Sequence, residues 1–176
     1  MYQKIWALVC AIIFVSTTAD AQTRSPAGQG SQRVGIFQLP LFERAVRCIK
    51  FYEGMHTEKD FPYVGYGHRI QPGEKFPKRL NEKQADSLLR ADLQRLCQMY
   101  RGYGKDSLLL AVLSYNVGCG RVSGNGKNAK SRLLSMIERG YRNIYQEYIS
   151  FCRWKGRVIP SIKRRRMIEY RLLFQP

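Results

Sequence analysis

The sequence predicts a mainly helical (α+β) domain with a small β-hairpin subdomain. Three observations lead there. Apolar residues recur at helical spacing in several stretches from residue 39 onwards. The run Leu108 to Leu113 is apolar on every side, which suits the central helix of a core. Between the first two helical stretches, His56 to Pro77 breaks the pattern with Gly65, Gly67, Pro72-Gly73 and several aromatics, the composition of a short hairpin region.

The chain has 176 residues, and its N-terminal end reads as an export signal. Lys4 supplies a charged start, and Ile5 to Val15 (IWALVCAIIFV) is apolar but short for a bilayer span. Ala19-Asp20-Ala21 then places small residues at the two positions a signal peptidase reads. Residues 1–21 are therefore expected to be a signal peptide, cleaved on export to the periplasm, cell surface or outside; a retained anchor is the alternative. Gln22 to Gln32 (QTRSPAGQGSQ) is polar and without periodicity, so residues 22–38 are expected to form a flexible tether. Residues 39–176 are enough for one compact domain and hardly enough for two.

The helices can be taken in order. Phe42, Ala45, Val46, Ile49 and Tyr52 mark a helix over Leu39 to Tyr52, with Gly54 as its stop. Glu53 then sits at the helix end, where the partial negative charge of the carbonyls favours a carboxyl that keeps its proton. After the hairpin region, with its expected Pro-Gly turn, Asn81 and Gln84 form a capping pair for a second helix. Asp106 is expected to cap the third helix, LLLAVLSYNVG, and Gly118, Gly120, Gly124 and Gly126 mark a loop. Ser131 to Arg139 and Ile144 to Trp154 read as short helices. Pro160-Ser161 opens a last helix through Phe174, and Lys163-Arg164-Arg165-Arg166 in its first turns oppose the helix dipole, which hints at a use for them.

Composition narrows the partners. With 30 basic and 13 acidic residues the net charge is +17, which favours nucleic acid, anionic lipid or acidic wall polymers. No P-loop, zinc pattern or nucleic-acid motif supports a specific nucleic-acid partner. After the leader, Cys48, Cys97, Cys119 and Cys152 permit two disulfides in three connectivities, or four thiols on helix faces. No CxxC pair occurs and the two histidines stand far from the cysteines, so no metal site is expected.

Four motifs in sequence order carry a resemblance to a known family. Cys48-Ile49-Lys50-Phe51-Tyr52-Glu53-Gly54 leads to Gly65-Tyr66-Gly67-His68; Tyr115-Asn116-Val117-Gly118 closes the central helix; Lys130 to Leu134 (KSRLL) follows. Last comes Gly156-Arg157-Val158-Ile159-Pro160-Ser161-Ile162 with Arg164-Arg165-Arg166 and Glu169. Together they resemble the phage-type lysozymes of glycoside hydrolase family 24, over roughly Phe42 to Phe174. The resemblance implies a lysozyme-like fold and hydrolysis of the β-1,4 bond between N-acetylmuramic acid and N-acetylglucosamine in peptidoglycan, without a cofactor. Peptidoglycan strands and anionic wall polymers would be the partners of a monomer.

The resemblance also implies roles. Glu53 matches the general acid, which must protonate the departing oxygen as an oxocarbenium-like centre develops. The family's aspartate and threonine are not kept at their spacing, because the segment between Glu53 and Gly65 is five residues shorter. Asp60 either steers a water from the shortened turn or is a solvated turn acid. Tyr63 stands at the threonine position and either handles the water or packs. His68 is expected to support the hairpin and His56 to be exposed. Tyr66 and Asn116 are expected to meet the saccharide, Tyr115 either to stack on a sugar face or to pack in the central helix, and Arg165 to orient a cleft carboxylate. Two alternatives stand beside hydrolysis: a peptidoglycan-binding or remodelling subunit with weak or no catalysis, and a basic polyanion-binding protein.

Overall fold

A computed structural model describes residues 35–176; the expected signal peptide and the tether up to residue 34 lie outside the described residues. Helix α1 (Leu41–Glu53) leads to strands β1 (Tyr63–Val64) and β2 (His68–Arg69). Helices α2 (Glu82–Met99), α3 (Ser107–Val117), α4 (Cys119–Ser123), α5 (Arg132–Glu138) and α6 (Tyr145–Ser150) follow. Strands β3 (Arg153–Trp154) and β4 (Arg157–Val158) precede α7 (Pro160–Leu173). The class is the expected one, mainly helical with a small antiparallel hairpin.

Helix α3 is the hub. Leu109 to Leu113 are wholly buried, and α1, α2 and α7 pack around them. Each fully buried leucine there stabilises the fold by roughly 1.5–3 kcal/mol relative to exposure. Helix α1 turns Ala45, Val46, Cys48 and Ile49 inward, the face its 3.6-residue periodicity marks. The cap of α2 is also the expected one: Gln84 N–H donates to Asn81 Oδ1 at 2.9 Å, and Asn81 N–H to Gln84 Oε1 at 3.0 Å. At the end of the stretch read as a tether, Ile36–Gln38 form a 3₁₀ turn and Ile36 packs against the core.

Four local expectations are corrected. The hairpin turn is Gly65-Tyr66-Gly67, between paired Val64 and His68; Pro72-Gly73 belongs to a separate turn, in which Glu74 N–H donates to Gln71 O at 3.0 Å. A Cβ on Gly65 would come within 3.2 Å of Ala85 Cβ, so this turn packs closely on α2. Asp106 does not cap α3 through its side chain. Its backbone is already helical, so the carboxylate points away and binds Arg142 at 2.5 and 3.1 Å. The glycine-marked loop contains α4. Finally, Ile144 to Trp154 is not one helix: α6 stops at Ser150, and Arg153-Trp154 pair with Arg157-Val158 in a second hairpin.

The cysteine question resolves towards thiols. Cys48, Cys97, Cys119 and Cys152 are all free, with Cys48 and Cys152 buried. Burial pushes the Cys48 thiol up to about 12, which keeps it protonated and unreactive.

Candidate active site

Glu53 is the last residue of α1, and Gly54 ends the helix directly after it. Its side chain is one-fifth exposed, at a point where α1, α3, α7 and the first hairpin converge. Arg165 Nη1 on α7 donates to Glu53 Oε1 at 2.7 Å, and Asn116 Nδ2 at the end of α3 donates to the same oxygen at 3.3 Å. On the hairpin side, a Cβ on Gly67 would sit 3.7 Å from Glu53 Oε2. Gly67 has φ +99, a backbone conformation that side chains resist, so glycine lets the turn pass beside the carboxyl.

Behind Glu53 lies a closed ring of charge-assisted bonds that the sequence did not reveal. Arg165 Nε donates to Glu169 Oε1 at 2.7 Å, Arg166 Nη1 donates to Glu169 Oε2, and Tyr148 OH donates to that oxygen at 3.0 Å. Arg166 Nη2 donates to Asn116 Oδ1, closing the ring. Arg165, Arg166 and Glu169 are all buried. Glu169 sits between the two arginines, and these paired, hydrogen-bonded charges are what allow Arg165, Arg166 and Glu169 to be buried together. The ring also sets the Asn116 amide: because Oδ1 faces Arg166, Nδ2 must face Glu53. The spacing of Arg165 and Arg166 to Glu169, four and three residues on one helix, was the available signal.

The tyrosines lean on one another. Tyr115 OH donates to the Tyr66 carbonyl at 2.9 Å, tying α3 to the hairpin turn. Tyr66 is buried, donates its hydroxyl to Glu82, and lies under Lys50 Nζ at 5.0 Å from its ring centre. Burial pushes both phenols up, so both stay neutral and available as donors. The Arg165 guanidinium lies 5.3 Å from the Tyr52 ring centre, within reach of a cation–π contact.

His68 lies beneath the hairpin. Its Nδ1 is 2.6 Å from Asp92 Oδ2 and its Nε2 is 2.8 Å from Glu74 Oε2. With a carboxylate at each nitrogen, the surroundings favour the ring that donates from both, the imidazolium. Burial alone would push its pKa down, but the hydrogen bonds and charges of Asp92 and Glu74 outweigh burial and raise it.

Asp60 and Tyr63 stand in the shortened segment. Asp60 Oδ2 accepts from Thr57 N at 2.8 Å and from Thr57 Oγ1 at 3.0 Å, stabilising the 3₁₀ turn Glu58–Asp60. Tyr63 is 43% exposed on β1, opposite in face to buried Val64, with its ring 6.1 Å from that of His56. His56 is half-buried rather than exposed, and its Nδ1 is sealed without a partner. Glu53, Asn116, Arg165 and Gly67 are thus gathered at one point, with Tyr115 joined to the turn through the Tyr66 carbonyl, while the buried Tyr66 phenol turns to Glu82, Asp60 holds Thr57 and Tyr63 lies beside His56. Among the described residues, no group of three His, Cys, Asp or Glu side chains could hold a metal ion.

The arrangement offers one carboxyl presented at a helix end, a guanidinium to steady its charge and an amide fixed in orientation. Comparison with known proteins fits that chemistry. The sequence model of the family described as Phage lysozyme matches residues 50–169, well over half of the chain, including Glu53, both tyrosines, Asn116 and the arginine ring. No curated protein matches the chain significantly.

Proposed function

The chain belongs to the phage lysozyme family, and from that premise we propose that it is an exported peptidoglycan muramidase. Membership points to activity of the lysozyme kind on cell-wall glycan. The finer reading is hydrolysis of the β-1,4 bond between N-acetylmuramic acid and N-acetylglucosamine, with Glu53 as proton donor. The observation that carries it is the convergence on Glu53 of Arg165, Asn116 and the Gly67 turn.

Glu53 in its acid form donates its proton to the glycosidic oxygen, and the bond from that oxygen to the anomeric carbon breaks. The carboxylate left behind is steadied by Arg165, which is held in place by Glu169 whether or not Glu53 is charged. Asn116 donates to Glu53 through Nδ2 and can exchange that bond for an acetamido carbonyl of the sugar. Tyr115, donating to the Tyr66 carbonyl, ties α3 to the hairpin turn that stands beside Glu53. Tyr63 and Asp60, across the shortened segment, are the candidates to steady the positive anomeric centre and to position the water, whose oxygen bonds to the anomeric carbon as its proton passes to Asp60 or to the Glu53 carboxylate. His68 supports the hairpin that carries Gly67. No cofactor enters, and the chain works as a monomer whose positive charge holds it on anionic wall polymers in a salt-sensitive way. A leader at residues 1–21, cleaved on export, would bring it to the wall.

The bond between Asp60 and Thr57 favours a second reading, a peptidoglycan-binding or remodelling subunit that keeps the fold with weak or no catalysis. Mass spectrometry of material released from purified sacculi separates the two. Muropeptides with new reducing N-acetylmuramic acid ends support hydrolysis. Sedimentation with sacculi without released fragments supports the second reading and rejects the first. The same assay on Asp60→Asn and Tyr63→Phe, run in heavy-oxygen water with anomer analysis, assigns the water-handling residue and the stereochemistry.

A further inference from the structure

The second hairpin has no role in the core. Every residue from Arg153 to Val158 is exposed, and Trp154 leaves 59% of its surface in water. A two-stranded ribbon with nothing buried gains little from its own pairing, so a tryptophan there is not explained by folding. The tip is also strained. Lys155 has φ +47, the one non-glycine residue with positive φ among those described, where asparagine or glycine would sit at lower cost.

The charge along this segment of the chain is one-sided. From Tyr148 to Ile168 the sequence has seven lysines and arginines and no acid. Arg165 and Arg166 are neutralised by Glu53 and Glu169. Among the described residues, Arg153, Lys155, Arg157, Lys163 and Arg164 meet no carboxylate, and all five are exposed. Further along α7, Met167 and Ile168 are exposed as well.

We propose that this hairpin, tip first, docks the protein on an anionic phospholipid surface. The distribution of side chains selects that partner. Cross-strand pairing puts Trp154 with Arg157 on one face and Arg153 with Val158 on the other. A protein groove that buried either face would desolvate a cation, which is costly without a partner charge. A soluble acidic polymer would use the cations but leave Trp154, Val158, Met167 and Ile168 wet. The headgroup layer of a bilayer takes both: tryptophan rests at the interface while lysine and arginine reach the phosphates. No described helix is long and apolar enough to cross a membrane, so the contact is peripheral. It does not depend on the chemistry assigned to Glu53.

The chain contains two tryptophans, Trp6 and Trp154, so Trp6→Phe in the full chain leaves Trp154 as its single fluorophore. This protein is titrated with phosphatidylcholine vesicles, with mixed phosphatidylglycerol–phosphatidylcholine vesicles, and with soluble polyphosphate; the lipids carry brominated acyl chains that quench a tryptophan at the interface. The apolar leader can enter both vesicle types, but quenching reports only where Trp154 is. The expected result is quenching and a blue shift with the mixed vesicles, reversed by salt, and none with neutral vesicles or polyphosphate. Changing Arg153, Lys155 and Arg157 to serine should weaken the quenching titration by roughly 100-fold, at about fivefold per charge. These side chains are exposed, and an unchanged melting temperature shows that the variant is folded. Absence of quenching, equal quenching by neutral vesicles, an emission shift with polyphosphate alone, or unaltered binding of the triple variant would each overturn the proposal.

Discussion

The two hairpins among the described residues are built from the same number of paired residues, yet one is locked and the other is free. In the first, Val64 and His68 point inward, and His68 is clamped between Asp92 and Glu74 while Tyr66 is tied to Glu82 and Tyr115. In the second, no side chain points inward and the tip is held mainly by its backbone ladder and one bond from Arg153 to the Gly156 carbonyl at 3.0 Å. A short β ribbon takes its rigidity from what one of its faces reaches, not from its own pairing. The first hairpin carries Gly67 to the Glu53 carboxyl and needs a fixed position. The second borders no such geometry and is left as an exposed surface.

The comparison breaks most readily at Asp92. Asp92→Ala leaves the buried imidazolium with one carboxylate, and we expect about 3 kcal/mol of destabilisation, read by denaturant unfolding. Hydrogen exchange in the same variant should show residues 63–69 losing protection first, with 153–158 unaffected. If the two hairpins lose protection equally, the clamp is not what distinguishes them.

Acidity should act on one hairpin only. The raised pKa of His68 means that its share of stability is fully present below its ordinary value of 6.5 and is lost as pH rises through the raised value. Glu74 is held below its ordinary 4.5, first by the Gln71 N–H and then by His68, so its share is present above 4.5 and lost as pH falls through the lowered value. Protection factors across residues 63–69 should therefore peak between those limits, whereas those of 153–158 should stay flat.

Backbone strain gives the next effect, with opposite signs in the two turns. Gly67→Ala forces a side chain into a left-handed conformation beside Glu53 and should cost about 1–2 kcal/mol, with a fall in activity as the turn shifts. Lys155→Gly relieves such strain and should raise stability by up to about 1 kcal/mol. Thermal melts of the pair check both signs. Smallest of all, Trp154→Ala should change stability by no more than about 0.5 kcal/mol, because the side chain supports nothing in the fold.

The sequence made the site legible wherever the signal was local. The helix end at Glu53-Gly54, the Asn81–Gln84 cap and the apolar run at α3 are decided within a few residues, and the structure has them where the pattern put them. Contacts between distant segments were not legible in that way. His68 and Asp92 are 24 residues apart, and no periodicity joins them. Arg166 and Glu169 had helical spacing, but spacing does not tell a buried ring from a solvated face. The second hairpin leaves no sequence signal, because its strands are two residues long and lack any inward face, so no alternation marks them. Asp106 is a favoured capping residue by type, but its backbone is helical and turns the carboxylate to Arg142.

The central claim rests on one carboxyl. Glu53→Gln keeps the shape of the side chain and its place among Arg165 and Asn116, but has no acid proton to give. Release of muropeptides from purified sacculi by this variant, compared with the parent protein at matched folded concentration, is the direct measurement. The account predicts that release falls to background while the melting transition stays cooperative and binding to sacculi persists. Muropeptide release near the parent rate from folded Glu53→Gln protein would contradict it.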